Sequence, residues 1–150
     1  MGRLVPLLLL LTACSATPHH PTVELLKAKP GEEFTLALEG DPVSIEGTPY
    51  LLTFTRVIED SRCASDVTCV WAGNARINIF VSDFSQTDNW PPGSNSVEIG
   101  GFIATLNTSP RFPTEGGDGH LMLELRRLAP EPKSGEQTRG YAVTLVATLK

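Results

Sequence analysis

The sequence predicts an all-β domain, a single antiparallel β-sandwich of immunoglobulin-like or related build, with a small closed β-barrel as the alternative. Three observations carry this expectation. Between Val23 and Lys150 the apolar residues recur mostly at every second position, the period of a half-buried strand, and no long stretch carries the 3.6-residue stripe of an amphipathic helix. Clusters of Gly, Pro and Asp interrupt the pattern at short intervals, where the chain must turn. A chain of 150 residues with 41% hydrophobic content supplies one core and no second domain. Two sheets packed face to face are the simplest arrangement in which many half-apolar strands each bury one side.

The first segment, residues 1–13, reads as a secretory signal: Arg3, an apolar run from Leu4 to Leu11, then the small residues Thr12 and Ala13 before Cys14. The run is too short for a permanent transmembrane helix, which needs about 20 residues. Leu11-Thr12-Ala13-Cys14 resembles the bacterial lipobox, which implies cleavage before Cys14, acylation of its thiol and of the new amine, and membrane anchoring through several acyl chains. Ser15 stands where Asp would redirect sorting, which resembles the default route to the outer membrane, facing the periplasm. Residues 14–22 then form a lipidated tether, small, polar and proline-containing. His19 and His20 in it are expected to bind no metal, because acylation removes the amine that would complete a terminal chelate.

The folded domain is expected over residues 23–150. Its strands are read at Glu24 to Ala28, Glu33 to Leu38, Val43 to Glu46, Tyr50 to Ile58, Asn74 to Ser82, Ser96 to Thr105, His120 to Leu128 and Tyr141 to Leu149. Pro30-Gly31, Gly40-Asp41-Pro42, Pro91-Pro92-Gly93, Gly116-Gly117-Asp118-Gly119 and the stretch from Pro130 to Gly140 separate them. Leu121, Leu123 and Leu125 share one face of their strand while Met122, Glu124 and Arg126 take the other. Tyr141, Val143, Leu145, Ala147 and Leu149 do the same in the last strand, whose second face is only partly polar.

The segment from Asp60 to Ala75 differs from the rest, with two cysteines, a tryptophan and tight-turn residues between two strands. Once Cys14 is consumed by lipid, Cys63 and Cys69 are an even pair in an oxidising compartment, so a disulfide is expected. The chain-entropy relation for so short a loop gives about 2.4 kcal/mol. Trp71 is expected to pack on the sulfurs or the core, and Gly73 to adopt a backbone conformation that a side chain would forbid. Asp60, Arg62 and Asp66 have two readings: a presented recognition surface on a stapled loop, which loses little entropy on binding, or internal pairing that shapes the loop.

Asp60 to Cys63 and Cys69 to Asn74 carry a resemblance to a set of uncharacterised bacterial lipoproteins and secreted proteins that share Asp-Ser-Arg-Cys followed shortly by Cys, Trp, Ala, Gly and Asn. Many of those have Pro after the first cysteine where this chain has Ala64, which implies a slightly less rigid loop here. The likeness extends more loosely over Pro30 to Phe34, Leu128 to Pro132 and the strand from Tyr141. It implies the architecture and the location, and no activity.

The chain contains no nucleophile elbow, Ser-x-x-Lys pair, His-Glu-x-x-His helix or phosphate-cradling loop, and after the tether only His120 remains to serve a triad. An enzyme is therefore not expected. His120 and Met122 share a strand face at a spacing that suits a soft ion such as copper, but two ligands do not make a site. Calcium at Glu115 and Asp118 lacks the regular run of oxygen ligands. Trp90, in a Trp-Pro-Pro-Gly loop, has two readings, a contact for glycan or peptide or a cap on one end of the core. A net charge of −5 without a basic cluster in the sequence argues against nucleic acid and against adsorption to anionic headgroups. The expected function is a cell-envelope lipoprotein without cofactor, acting by binding or structural support through an envelope protein or glycan. The alternatives are a copper carrier or sensor and an inhibitor of a hydrolase.

Overall fold

The computed structural model describes residues 25–85 and 100–150. The signal and tether, with Cys14, His19 and His20, and the loop carrying Trp90 lie outside the described residues. Those described hold nine strands and no helix: β1 (Leu26–Ala28), β2 (Glu33–Ala37), β3 (Val43–Ile45), β4 (Tyr50–Asp60), β5 (Ala75–Asp83), β6 (Gly100–Asn107), β7 (Glu115–Gly117), β8 (Leu121–Ala129) and β9 (Ala142–Leu149). They form a five-stranded sheet in the order β1-β3-β4-β5-β6 and a four-stranded sheet in the order β2-β9-β8-β7. The two do not close into a barrel, so the sandwich expectation holds and its alternative falls.

Period-two patterning builds the core. Ala75, Ile77, Ile79 and Val81 of β5 are wholly buried and alternate with Arg76, Asn78 and Phe80 on the outer face. Leu121, Leu123 and Leu125 of β8 and Val143, Leu145 and Ala147 of β9 meet them from the other sheet, around Phe54 of β4. Strict alternation would put Arg127 inward. A register shift between Leu125 and Arg127 instead turns Arg126 and Arg127 outward together and buries Leu128.

Three features depart from the sequence reading. The β1–β3 pair is parallel, because the chain passes through the other sheet as β2 and returns in the same direction. Gly116 and Gly117, read as part of a glycine-rich turn, lie with Glu115 in a short edge strand against β8. There Gly117 approaches the Leu121 carbonyl so closely that a Cβ would overlap it. Leu149, placed on the inner face, is exposed at the end of β9. The strands from Tyr50 and from Gly100 also run on past their expected ends, to Asp60 and Asn107. The first of these extensions carries β4 into the disulfide loop.

Candidate functional site

The loop from Ser61 to Asn74 is a continuation of the β4–β5 hairpin. Ser61 N–H donates to the Asn74 carbonyl at 2.7 Å and Cys63 N–H to that of Ala72 at 2.8 Å, so the ladder persists beyond the sheet. Gly73 makes this close approach possible: its φ is +72°, and a Cβ there would overlap the Ser61 carbonyl. Cys63 and Cys69 are joined, with Cα atoms 6.0 Å apart. The bond closes the tip of a loop whose base is hydrogen-bonded independently. Replacing both cysteines by serine is therefore expected to lower stability by about 2 kcal/mol without loss of the fold, as read by thermal unfolding.

Beneath the loop lies the Arg62 guanidinium. Its Nε donates to Asp60 Oδ1 at 2.8 Å and its Nη2 to Asp60 Oδ2 at 2.7 Å, a bidentate pair whose side chains are 9% and 8% exposed. The remaining donors cross to the other sheet: Nη1 to the Leu128 carbonyl at 2.6 Å and Nη2 to the Pro130 carbonyl at 2.9 Å. Tyr141 Oη donates to Asp60 Oδ2 at 3.0 Å. The end of β4 is thus latched to the end of β8 and the entry to β9. Asp60 and Arg62, named above as a possible recognition surface, are turned inward, since a rigid fork of donors finds its acceptors there. Of the two readings of this pair, internal pairing describes their placement.

Burial opposes ionisation of Asp60, but the hydrogen bonds and charge of Arg62, with the Tyr141 hydroxyl, outweigh it and hold the carboxyl below the usual range. A depressed folded-state pKa adds stability that is fully present above the unfolded value near 4 and lost as pH falls through the folded value. Hydrogen bonds from Ser134 depress Asp66; for Asp118, burial is outweighed by backbone N–H donors from Leu121 and His120, so both act in the same window. Stability is expected to fall below about pH 4, more steeply in the wild type than in Asp60→Asn, in urea unfolding followed from pH 6 to pH 2.

Two further contacts fix the loop laterally. Asp66 accepts from Ser134 N and Oγ, both at 2.8 Å, and Ser65 N–H donates to the Pro132 carbonyl at 2.8 Å, which docks the loop on the stretch between β8 and β9. Asp66 is exposed yet committed to this contact. Asn74, buried, donates to Asn107 Oδ1 at 3.0 Å and accepts from Ser109 N at 3.0 Å, which docks the connection between β6 and β7 on the other side. Asn107 Nδ2 in turn donates to the Pro113 carbonyl.

What faces solvent is apolar. Val70 is 93% exposed, Trp71 72% and Phe112 52%. The expectation that Trp71 packs on the sulfurs or the core is overturned: while residues 72–74 are held against Ser61 to Cys63, its side chain stands 72% exposed. Trp71 and Phe112 border an open groove of about 470 Å³, floored by Ala72, Gly73 and Pro110. Phe112 had no place in the sequence reading, and its one signal there was an aromatic standing between Pro110 and Pro113 in a segment without strand pattern.

The remaining candidates do not gather. Met122 lies in β8, but His120, read as the start of that strand, falls in the bend before it, where its backbone N–H donates to Asp118 Oδ1 at 2.8 Å. Asp118 also accepts from Leu121 N–H and Tyr50 Oη, so its oxygens serve the turn. Among the described residues no three His, Cys, Asp or Glu side chains come together to hold a metal, and no helix is long and apolar enough to cross a membrane. Trp90 and Cys14 lie outside the described residues.

The fold and this face define a β-sandwich with a disulfide-closed, latched loop that presents aromatic side chains. Compared with protein-family models, with the curated proteins and with the solved structures, the chain matches none.

Proposed function

We propose that the chain is a lipid-tethered cell-envelope domain that binds rather than catalyses, with Trp71, Val70 and Phe112 as its contact face. One observation carries this: an indole 72% exposed on a loop fixed at its base and on both flanks. Apolar rings in water gain nothing for folding, whereas rigid aromatics lose little entropy on binding and concentrate binding energy. The lipobox-like Leu11 to Cys14 and a disulfide of the kind that persists in oxidising compartments support the envelope as its location. The partner is an envelope protein or glycan.

The test is retention of the full-length protein by washed envelope fractions, measured as a saturable affinity. Trp71→Ala is expected to weaken retention at least about tenfold, equivalent to about 1.4 kcal/mol. Its melting temperature is expected to stay unchanged. Equal retention of both proteins would remove this face from the account, and no retention of the wild type would remove the binding reading.

A further inference from the structure

The groove beside Trp71 does not end at Pro110. Through Ala72, Gly73, Ser109 and Pro110 it runs into a second groove of about 320 Å³ that reaches Cys63 and Thr108. That one shares Arg62, Thr108 and Glu131 with a third, of about 200 Å³, lined by Arg126 and Arg127 where the register shift turns both outward. A single open track therefore crosses the end of the sandwich, with aromatic rings at one end, hydroxyls in the middle and arginines at the other.

Its charge is opposite to that of the chain. Of the two carboxylates along it, Glu59 is matched by Arg76 at 3.5 Å, while Glu131 lies 3.5 Å from Arg62 and shares that guanidinium with Asp60. Arg126 is paired with Glu124 at 2.8 Å. Arg111, beside Phe112, and Arg127, at the far end, have no carboxylate partner among the described residues. An acidic protein, at −5, thus carries an arginine without a carboxylate partner at each end of this track.

We infer that the ligand of this track is an acidic polysaccharide, a chain of pyranose rings bearing carboxylates. The inference rests on the reading of the Trp71 face as a binding surface. A pyranose has an apolar C–H face that stacks on an open indole and a hydroxyl rim that meets Ser109. Guanidinium groups take carboxylates bidentately, which suits Arg111 and Arg127. An acidic peptide fits less well. Its carboxylates would meet Arg111 and Arg127, but an acidic peptide brings no rigid ring face to stack on the exposed Trp71 indole.

The experiment is calorimetric titration of the full-length protein with three probes: oligogalacturonate, its carboxyl-reduced neutral counterpart, and oligoglutamate of matched charge. Oligogalacturonate is expected to bind with an affinity that falls with salt, and the neutral oligomer at least tenfold more weakly. Arg127→Gln is expected to lose at least fivefold and Trp71→Ala at least tenfold, both with unchanged melting temperatures. Equal binding of the neutral oligomer, tighter binding of oligoglutamate, or indifference to Arg127→Gln would overturn the inference. If no probe binds while envelope fractions still retain the protein through Trp71, only the acidic-glycan assignment fails. If that retention fails too, the binding reading falls with it.

Discussion

Arg62→Ala is expected to destabilise the protein by about 3–5 kcal/mol, the cost of breaking a buried ion pair by removing one partner. The truncation strips Asp60 of both its guanidinium contacts and leaves its carboxylate buried with Tyr141 Oη and the residue-62 backbone N–H as donors. It also removes the guanidinium donor from the Leu128 and Pro130 carbonyls, through which β4 is latched to the end of β8. Against the 5–15 kcal/mol typical of a domain, such a loss leaves a marginal fold. Arg62→Lys is expected to recover only a minor part, because an ammonium cannot reproduce two parallel bonds to one carboxylate while reaching two carbonyls. Urea unfolding measures both. A loss under about 1 kcal/mol for Arg62→Ala would mean that the latch does not hold the sheets.

Gly73→Ala is expected to cost about 2–5 kcal/mol. The left-handed backbone alone costs an L-residue about 1–2 kcal/mol, and overpacking typically adds about 1–3 kcal/mol. Relief requires the strands to part, since a Cβ at residue 73 overlaps the Ser61 carbonyl backbone rather than the end of a flexible side chain. Parting them would break the Ser61–Asn74 and Cys63–Ala72 bonds and displace Asn74 from Asn107 and Ser109. Hydrogen exchange should show the excess opening at residues 61–63 and 107–109, with the centre of β5 protected as before.

The strands were legible in the sequence because alternation is local: Ile77, Ile79 and Val81 declare their inward face without reference to anything distant. The disulfide was legible from cysteine count and expected export. What escaped is non-local. The parallel return of β3 beside β1 depends on β2 leaving for the other sheet. The shift at Leu125 and Arg127, which buries Leu128, has no signature in a window of a few residues. Asp60 and Arg62 were visible as a pair of opposite charges, but their inward placement depends on the carbonyls of Leu128 and Pro130, 66 and 68 residues beyond Arg62. Trp71 misled for a related reason. A tryptophan beside a disulfide reads as core, and its exposure depends on the pairing of residues 72–74 with Ser61 to Cys63 across the loop.

Folding and the proposed contact therefore fall on different residues of one loop, with Arg62 latched inward and Trp71 exposed to solvent. Urea unfolding of Arg62→Ala and Trp71→Ala side by side, under identical conditions, tests that division most directly. The account predicts a loss of about 3–5 kcal/mol for Arg62→Ala and of no more than about 0.5 kcal/mol for Trp71→Ala. The reverse order, with the tryptophan variant unfolding first, would contradict it.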